Sequence, residues 1–155
     1  MIDKRTELKV SAIRNGTVID HIPSDKVFQV FKILNLNNSK NQVYFGTNLD
    51  SQKYGKKGII KISDQYFKLE QISKIALVAP MATLIEIKDY EVTKKETVHF
   101  PEVVENIVKC FNPKCVTNSQ KVPTRFNVTE DHNNQMKLAC HYCEKTMSKE
   151  NFVFI

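Results

Sequence analysis

All four cysteines of this chain lie beyond position 109, and they come as two short hooks. Cys110 and Cys115 enclose four residues, Cys140 and Cys143 enclose two, and twenty-four residues separate the pairs. Hooks of this kind let four sulfurs converge tetrahedrally on one Zn²⁺ at about 2.3 Å. Four thiolates close the coordination sphere and leave no position for water or substrate, so the expected cofactor is one structural zinc. A redox pair would use one Cys-x-x-Cys and leave the second hook unexplained. His141, inside the second hook, is another ligand type, but four sulfurs already satisfy the ion.

The metal also has an energetic rationale. Residues 101–155 form a short and rather polar segment whose own core would be marginal. Zinc binding contributes on the order of 10–16 kcal/mol to folding in small zinc-finger peptides. The strand-like stretches at 106–109, 126–128, 136–139 and 151–153 are expected to form a small antiparallel sheet around it. Polar residues 94–101, ending in Pro101, mark the boundary. The division is therefore 1–100 and 101–155.

The chain has 155 residues, 41% hydrophobic and 26% charged, an ordinary globular composition. No run reaches the roughly 18 apolar residues a membrane span needs, and Met1-Ile2-Asp3-Lys4-Arg5 is mixed in charge, without the apolar stretch expected of a signal peptide. A cytoplasmic location is expected, with cysteines serving as metal ligands rather than disulfides. The net charge of +6 suits an anionic partner, small-molecule phosphates included, without requiring nucleic acid. No phosphate-cradling glycine loop, Gly-x-Ser-x-Gly elbow or His-Glu-x-x-His is present, so nothing marks an active site.

Residues 8–95 carry periodic apolar segments. Alternation over Leu8, Val10 and Ala12 predicts a strand that continues past Asn15-Gly16 into Thr17-Val18-Ile19. After Pro23, Ser24 or Asp25 can cap a helix whose Val27, Val30, Phe31 and Leu34 share one face. Val43–Phe45 and Ile59–Ile62 read as strands joined through residues 54–58. A second helix over Leu69–Leu77 would turn Leu69, Ile72, Ile75 and Ala76 inward and stop before Pro80. Strands at 83–87 and 90–93 flank a Lys88-Asp89 turn. The order β-α-β-β-α-β plus one strand gives an α+β chain. Its N-terminal antiparallel sheet carries two helices on one face, ferredoxin-like, and is followed by the small all-β zinc domain.

Several stretches resemble the regulatory chain of aspartate carbamoyltransferase, an enzyme of pyrimidine biosynthesis: residues 10–23 (Val-Ser-Ala-Ile-Arg-Asn-Gly-Thr-Val-Ile-Asp-His-Ile-Pro), 58–62, 79–83, 89–92 and both cysteine hooks. The resemblance covers nearly the whole chain. It implies a non-catalytic subunit whose N-terminal domain binds CTP, UTP and ATP allosterically. It implies also that the zinc domain docks on the catalytic chain and that regulatory chains pair with one another. Carried over by position, Lys95 meets phosphate and His21 lies near the α-phosphate, while Asp20 and Lys61 hold the sugar side. Backbone groups of Val10, Ala12, Ile13, Tyr90 and Val92 read the base. Asn112, Glu144 and Lys145 face the catalytic chain.

Each of these residues has a plainer reading. Lys61 can serve as an edge-strand lysine that blocks aggregation, Lys95 can belong to a solvated charge run, and Asp20-His21 can be an exposed turn. The hook polar groups can simply hydrogen-bond within the hooks. The chain also departs from the family pattern. Glu7 stands where a lysine lies near a second nucleotide and its Mg²⁺, Ser11 replaces a glutamate, Ile85 an asparagine, and Lys114 an asparagine. The competing function is a nucleic-acid-binding zinc ribbon, favoured by Lys109, Lys114, Lys121 and Arg125. It is opposed by Glu102, Glu105, Glu130 and Asp131 in the same region.

Overall fold

The computed structural model describes residues 12–155. The expected strand over 8–12, with Glu7, Val10 and Ser11, therefore lies outside the described residues except for Ala12, which is not in a strand. The chain divides into two compact units between His99 and Phe100. Among the described residues no helix is long and apolar enough to cross a membrane.

The first unit runs β1 (Gly16–Ile22), α1 (Val27–Ile33), β2 (Val43–Ser51), β3 (Gly55–Ser63), α2 (Leu69–Val78), β4 (Thr83–Lys88), β5 (Glu91–Thr97). The strands form one antiparallel sheet in the order β2-β3-β1-β4-β5. Its first four strands have the ferredoxin-like order. Ile60 on β3, Ile19 on β1 and Leu84 on β4 are cross-strand partners and almost wholly buried, as is Ile62, two residues along β3 from Ile60. Residues paired across strands share a face, so this row forms the core side. Val27, Val30 and Leu34 of the first helical segment, and Ile75 and Ala76 of α2, are buried as well. Gly58 lets α1 come close, because a Cβ there would run into Val27.

Several local expectations are corrected. Neither Ser24 nor Asp25 caps α1 with its side chain. A 3-10 turn, Ser24–Lys26, precedes the helix, and Ser24 Oγ is buried without a hydrogen-bond partner. Leu69 is 79% exposed rather than inward, since it starts α2 before the helix reaches the sheet. The 54–58 linker is mostly strand, and β2 and β3 extend to meet across a short turn at residues 52–54. The β4–β5 turn falls on Asp89-Tyr90, one residue later than expected, with Lys88 paired to Glu91.

The second unit holds β6 (Val103–Glu105), β7 (Val108–Lys109), α3 (Val116–Ser119), β8 (Arg125–Glu130), β9 (Met136–Cys140), β10 (Thr146–Met147) and β11 (Val153–Phe154). They make a four-stranded sheet, β10-β9-β8-β6, and a two-stranded ladder, β11-β7. The expected single sheet is thus two: the strand expected over 106–109 narrows to Val108–Lys109, separated from an unexpected β6 by Asn106 at φ 56°, and the strand expected over 151–153 falls on Val153–Phe154. Phe126, Leu138, Met147 and Val108 form the core beside the cysteines.

Candidate functional site

Two constellations carry chemistry, one in each unit. In the second unit, the four cysteine sulfurs all lie within 4.8 Å of one another. The Sγ atoms of Cys110 and Cys143 are 3.7 Å apart, as are those of Cys115 and Cys140. A tetrahedron with bonds of about 2.3 Å has an edge of about 3.8 Å, so the sulfurs already stand at ligand spacing. Cys110, Cys115 and Cys140 are buried and Cys143 is half-buried.

The hooks are shaped by their own backbones. In the first, Cys115 N–H donates to the Asn112 carbonyl, and Asn112 Oδ1 accepts from Lys114 N–H. Asn118, at the start of the sequence after the hook, donates to the carbonyls of both Cys110 and Asn112. In the second, Cys140 N–H donates to Lys145 O, and Glu144 N–H to Cys140 O, with Glu144 at φ 63°. Thr117 Oγ1 donates to Cys115 Sγ. Sequence reasoning did not single out Asn118 or Thr117, which lie in α3 directly after the first hook.

The electrostatics of the cluster also fit a cation. Burial pushes the Cys110 thiol up to about 12 and raises that of Cys140. For Cys143 burial acts in the same direction, but hydrogen bonds from Lys145 N–H, Asn112 and the neighbouring sulfurs outweigh it and bring the thiol down to about 7. Sulfurs crowded in a desolvated site resist ionising alone. A divalent cation relieves that by neutralising thiolate charge. The four cysteines fit one structural zinc.

His141 takes no place in the cluster. Its ring packs edge-on against Tyr142, and its N–H donates to Arg125 O. The side chain of Asn112 is engaged inside its hook. Glu144 and Lys145 are exposed, and so are the aromatic rings of Phe111 and Tyr142.

In the first unit, strand register gathers residues far apart in sequence. Lys61 on β3 pairs with Val18 on β1, Val18 with Ile85 on β4, and Ile85 with Lys95 on β5. The row Lys61–Val18–Ile85–Lys95 therefore lies on the face opposite the core row. Asp20, two residues along β1, is on that face with its partner Thr83. Burial lowers the Lys61 ammonium from its ordinary range, and the Asp20 carboxylate partly restores it.

His21 stands at φ 57°, where the β1–β3 register shifts. Its N–H donates to Asp20 Oδ1 at 2.7 Å, and its Nδ1 lies 3.0 Å from Thr83 Oγ1. The same Asp20 oxygen receives Lys57 Nζ at 2.8 Å. Neither Lys57 nor Thr83 was identified from sequence. Lys57 was hidden in a Gly-Lys-Lys-Gly stretch that read as a linker, and only strand register reveals it. A recess of about 290 Å³ lies beside His21, bordered by Ser24, Tyr54, Lys56 and Met81.

Among the expected base-reading positions, Ala12 is exposed, Ile13 is buried, and Tyr90 and Val92 are exposed. Tyr90 N–H donates to Arg14 O, so a contact from Tyr90 to a ligand would use its carbonyl. Val10 lies outside the described residues.

Two family models match. Residues 8–99 match the aspartate carbamoyltransferase regulatory chain, allosteric domain, and residues 102–153 match the same chain's metal binding domain. The regulatory chain of Phocaeicola vulgatus is 49% identical over 97% of this chain and 96% of its own length. That of Bacteroides thetaiotaomicron is 47% identical over the full length of both. The archaeal chain of Pyrococcus horikoshii is 47% identical over 95% of this chain and 97% of its own. These matches favour the regulatory-chain reading over a nucleic-acid-binding zinc ribbon. The cysteine cluster fits the metal-binding domain, the antiparallel α+β sheet fits the allosteric domain, and the chain belongs to the family of aspartate carbamoyltransferase regulatory chains.

Proposed function

We propose that this chain is a non-catalytic subunit that binds the nucleoside triphosphates CTP, UTP and ATP in residues 1–100 and docks on the catalytic chain through residues 101–155. The observation that carries the nucleotide reading is the row Lys61–Val18–Ile85–Lys95 with Asp20 beside it. Two cations flank two apolar side chains, an arrangement suited to a flat base and sugar between charged ends. Lys95 would meet phosphate, and His21, held by Thr83 and Asp20, would sit near the α-phosphate. Asp20 accepts from a ribose hydroxyl, while Lys61 and Lys57 balance its charge. Backbone groups of Val10, Ala12, Ile13, Tyr90 and Val92 would read the base edge.

In the second unit, zinc supplies a fixed cross-link and cancels thiolate charge. The chain's own contribution is to hold Glu144, Lys145 and the Asn112 hook rigidly for a partner surface. Effector binding would then bias the assembly by a coupling of about 1–3 kcal/mol. Regulatory chains would pair through their N-terminal units, in the cytoplasm where pyrimidine synthesis takes place.

Calorimetry of the purified chain with CTP and ATP tests nucleotide binding; no heat at millimolar concentration overturns it. Mixing the chain with a candidate catalytic trimer, with and without zinc, tests docking. Assembly that proceeds equally without metal overturns the adaptor role.

A further inference from the structure

The β4–β5 hairpin turns on two residues, Asp89 at φ 49° and Tyr90 at φ 67°. Left-handed φ at both central positions is the type I′ pattern, for which Asn-Gly or Asp-Gly is the favoured sequence. An aromatic residue at the second position is strained there. Packing does not explain the tyrosine, because its side chain is 68% exposed. Something outside the hairpin must hold the turn.

That support comes from Arg14 and Asn15, about 75 residues earlier. Asp89 N–H donates to Asn15 Oδ1 at 3.0 Å, and Tyr90 N–H donates to Arg14 O at 2.9 Å. The Arg14 guanidinium reaches Asp89 Oδ1 at 3.2 Å. Asn15 is anchored in turn by its carbonyl, which accepts from Asp64 N–H at 2.9 Å. The next residue, Gly16, sits at φ 137° with no room for a Cβ against Ile62 O, so the chain can turn from the clamp directly into β1. Both strained turn residues thus give their N–H groups to one dipeptide.

We propose that Arg14-Asn15 is a positioning clamp for base recognition: it holds the Asp89-Tyr90 turn in the left-handed conformation that presents Tyr90 and Val92 to a nucleobase. The proposal rests on the nucleotide reading above. Arg14-Asn15 directly follows Ala12-Ile13, so the segment expected to touch one side of the base also fixes the opposing hairpin. The phosphate end, at Lys95 and His21, does not depend on this clamp.

The test is calorimetry of the full zinc-loaded chain with CTP across a series of salt concentrations. Asn15→Ala removes the acceptor and should weaken CTP binding roughly tenfold, the scale of one lost hydrogen bond. The slope of affinity against salt should stay at the wild-type value, because the phosphate contacts remain. Asn15→Asp keeps an acceptor and should bind within about threefold of wild type. Adding Asp89→Gly to Asn15→Ala lets the first turn position hold its left-handed φ without the clamp, and should recover about threefold of the lost affinity. Unchanged affinity in Asn15→Ala, a flattened salt slope, or no recovery with Asp89→Gly overturns the clamp. If Asn15→Ala fails to fold, Asn15→Ser, whose shorter side chain withdraws the acceptor, takes its place, and the same loss and the same recovery decide. Absence of CTP heat in the wild-type chain overturns the nucleotide reading itself, and the clamp with it.

Discussion

The two units of this chain solve the same folding problem by different means. The N-terminal unit buries branched side chains on one sheet face, Ile19, Ile60, Ile62 and Leu84, together with Val27, Val30 and Ile75 of its helices. The C-terminal unit is shorter and its strands run only two to six residues. Its few large apolar groups, Phe126, Leu138 and Met147, surround a cluster of sulfurs instead of a second layer of helices. Hydrophobic burial grows with size, whereas the contribution of a metal does not, so the small unit needs the ion and the larger one does not. The division also separates roles. On the proposed reading, the surface that docks on a partner is tied to zinc, and the surface that responds to ligand is left on a sheet.

The largest expected effect breaks that comparison directly. Removing zinc with a chelator, or substituting Cys140→Ser, should unfold residues 100–155, a loss on the order of 10 kcal/mol. Amide exchange in β1, β3 and β4 should remain protected. Concerted unfolding of both units would show that they are not energetically separate.

The converse substitution is expected to be next in size. Ile60→Ala, at a fully buried site, should cost about 2–5 kcal/mol of the N-terminal unit in urea denaturation. Zinc content should stay at one ion per chain.

Smaller again is the phosphate contact. Lys95→Ala should weaken CTP binding by roughly fivefold at low salt, since a single charge contact in water contributes about 1 kcal/mol. The difference should shrink as salt rises. Asn112→Ala, which loosens the first hook, should leave this binding unchanged and lower the affinity for zinc.

The smallest effect belongs to the β8–β9 turn. Asp131 Oδ1 accepts from Asn133 N–H and Gln135 N–H, with Lys137 nearby. The Gln135 bond above all holds its carboxyl below the usual range. A depressed carboxylate stabilises the fold above its unfolded pKa, near 3.9, and that stabilisation is lost as pH falls through the folded value. Asp131→Asn should therefore melt slightly below the wild type at neutral pH, with the gap closing below about pH 4. A gap that persists in acid would show that the carboxylate charge is not what matters.

Much of this molecule was legible from its residues. Cysteine spacing announced the metal site, because ligands come in local hooks and the sequence prints both. The helix over 27–33 and the strands at 17–19 and 59–62 followed from apolar periodicity. Legibility failed where the deciding interaction was remote. Leu69 carries the apolar residue type of a core position but sits where α2 begins, away from the sheet. Asn106, read as the start of a strand, instead stands at φ 56° between β6 and β7, a backbone twist that nothing in its neighbours signals. Lys57 and Thr83 meet Asp20 and His21 only through β1–β3 and β1–β4 pairing.

Residue order alone fixed the zinc ligands and, over residues 16–97, the order of strands and helices, since each depends on spacing along the chain. Tertiary structure decided which side chains meet. Lys61, Asp20 and Lys95 share a face because of strand register, and register is set by which rows of isoleucine and leucine must be buried beneath the helices. Likewise the Asp89-Tyr90 turn holds its conformation through bonds to Arg14 and Asn15, residues about 75 positions away that only the folded sheet brings within reach.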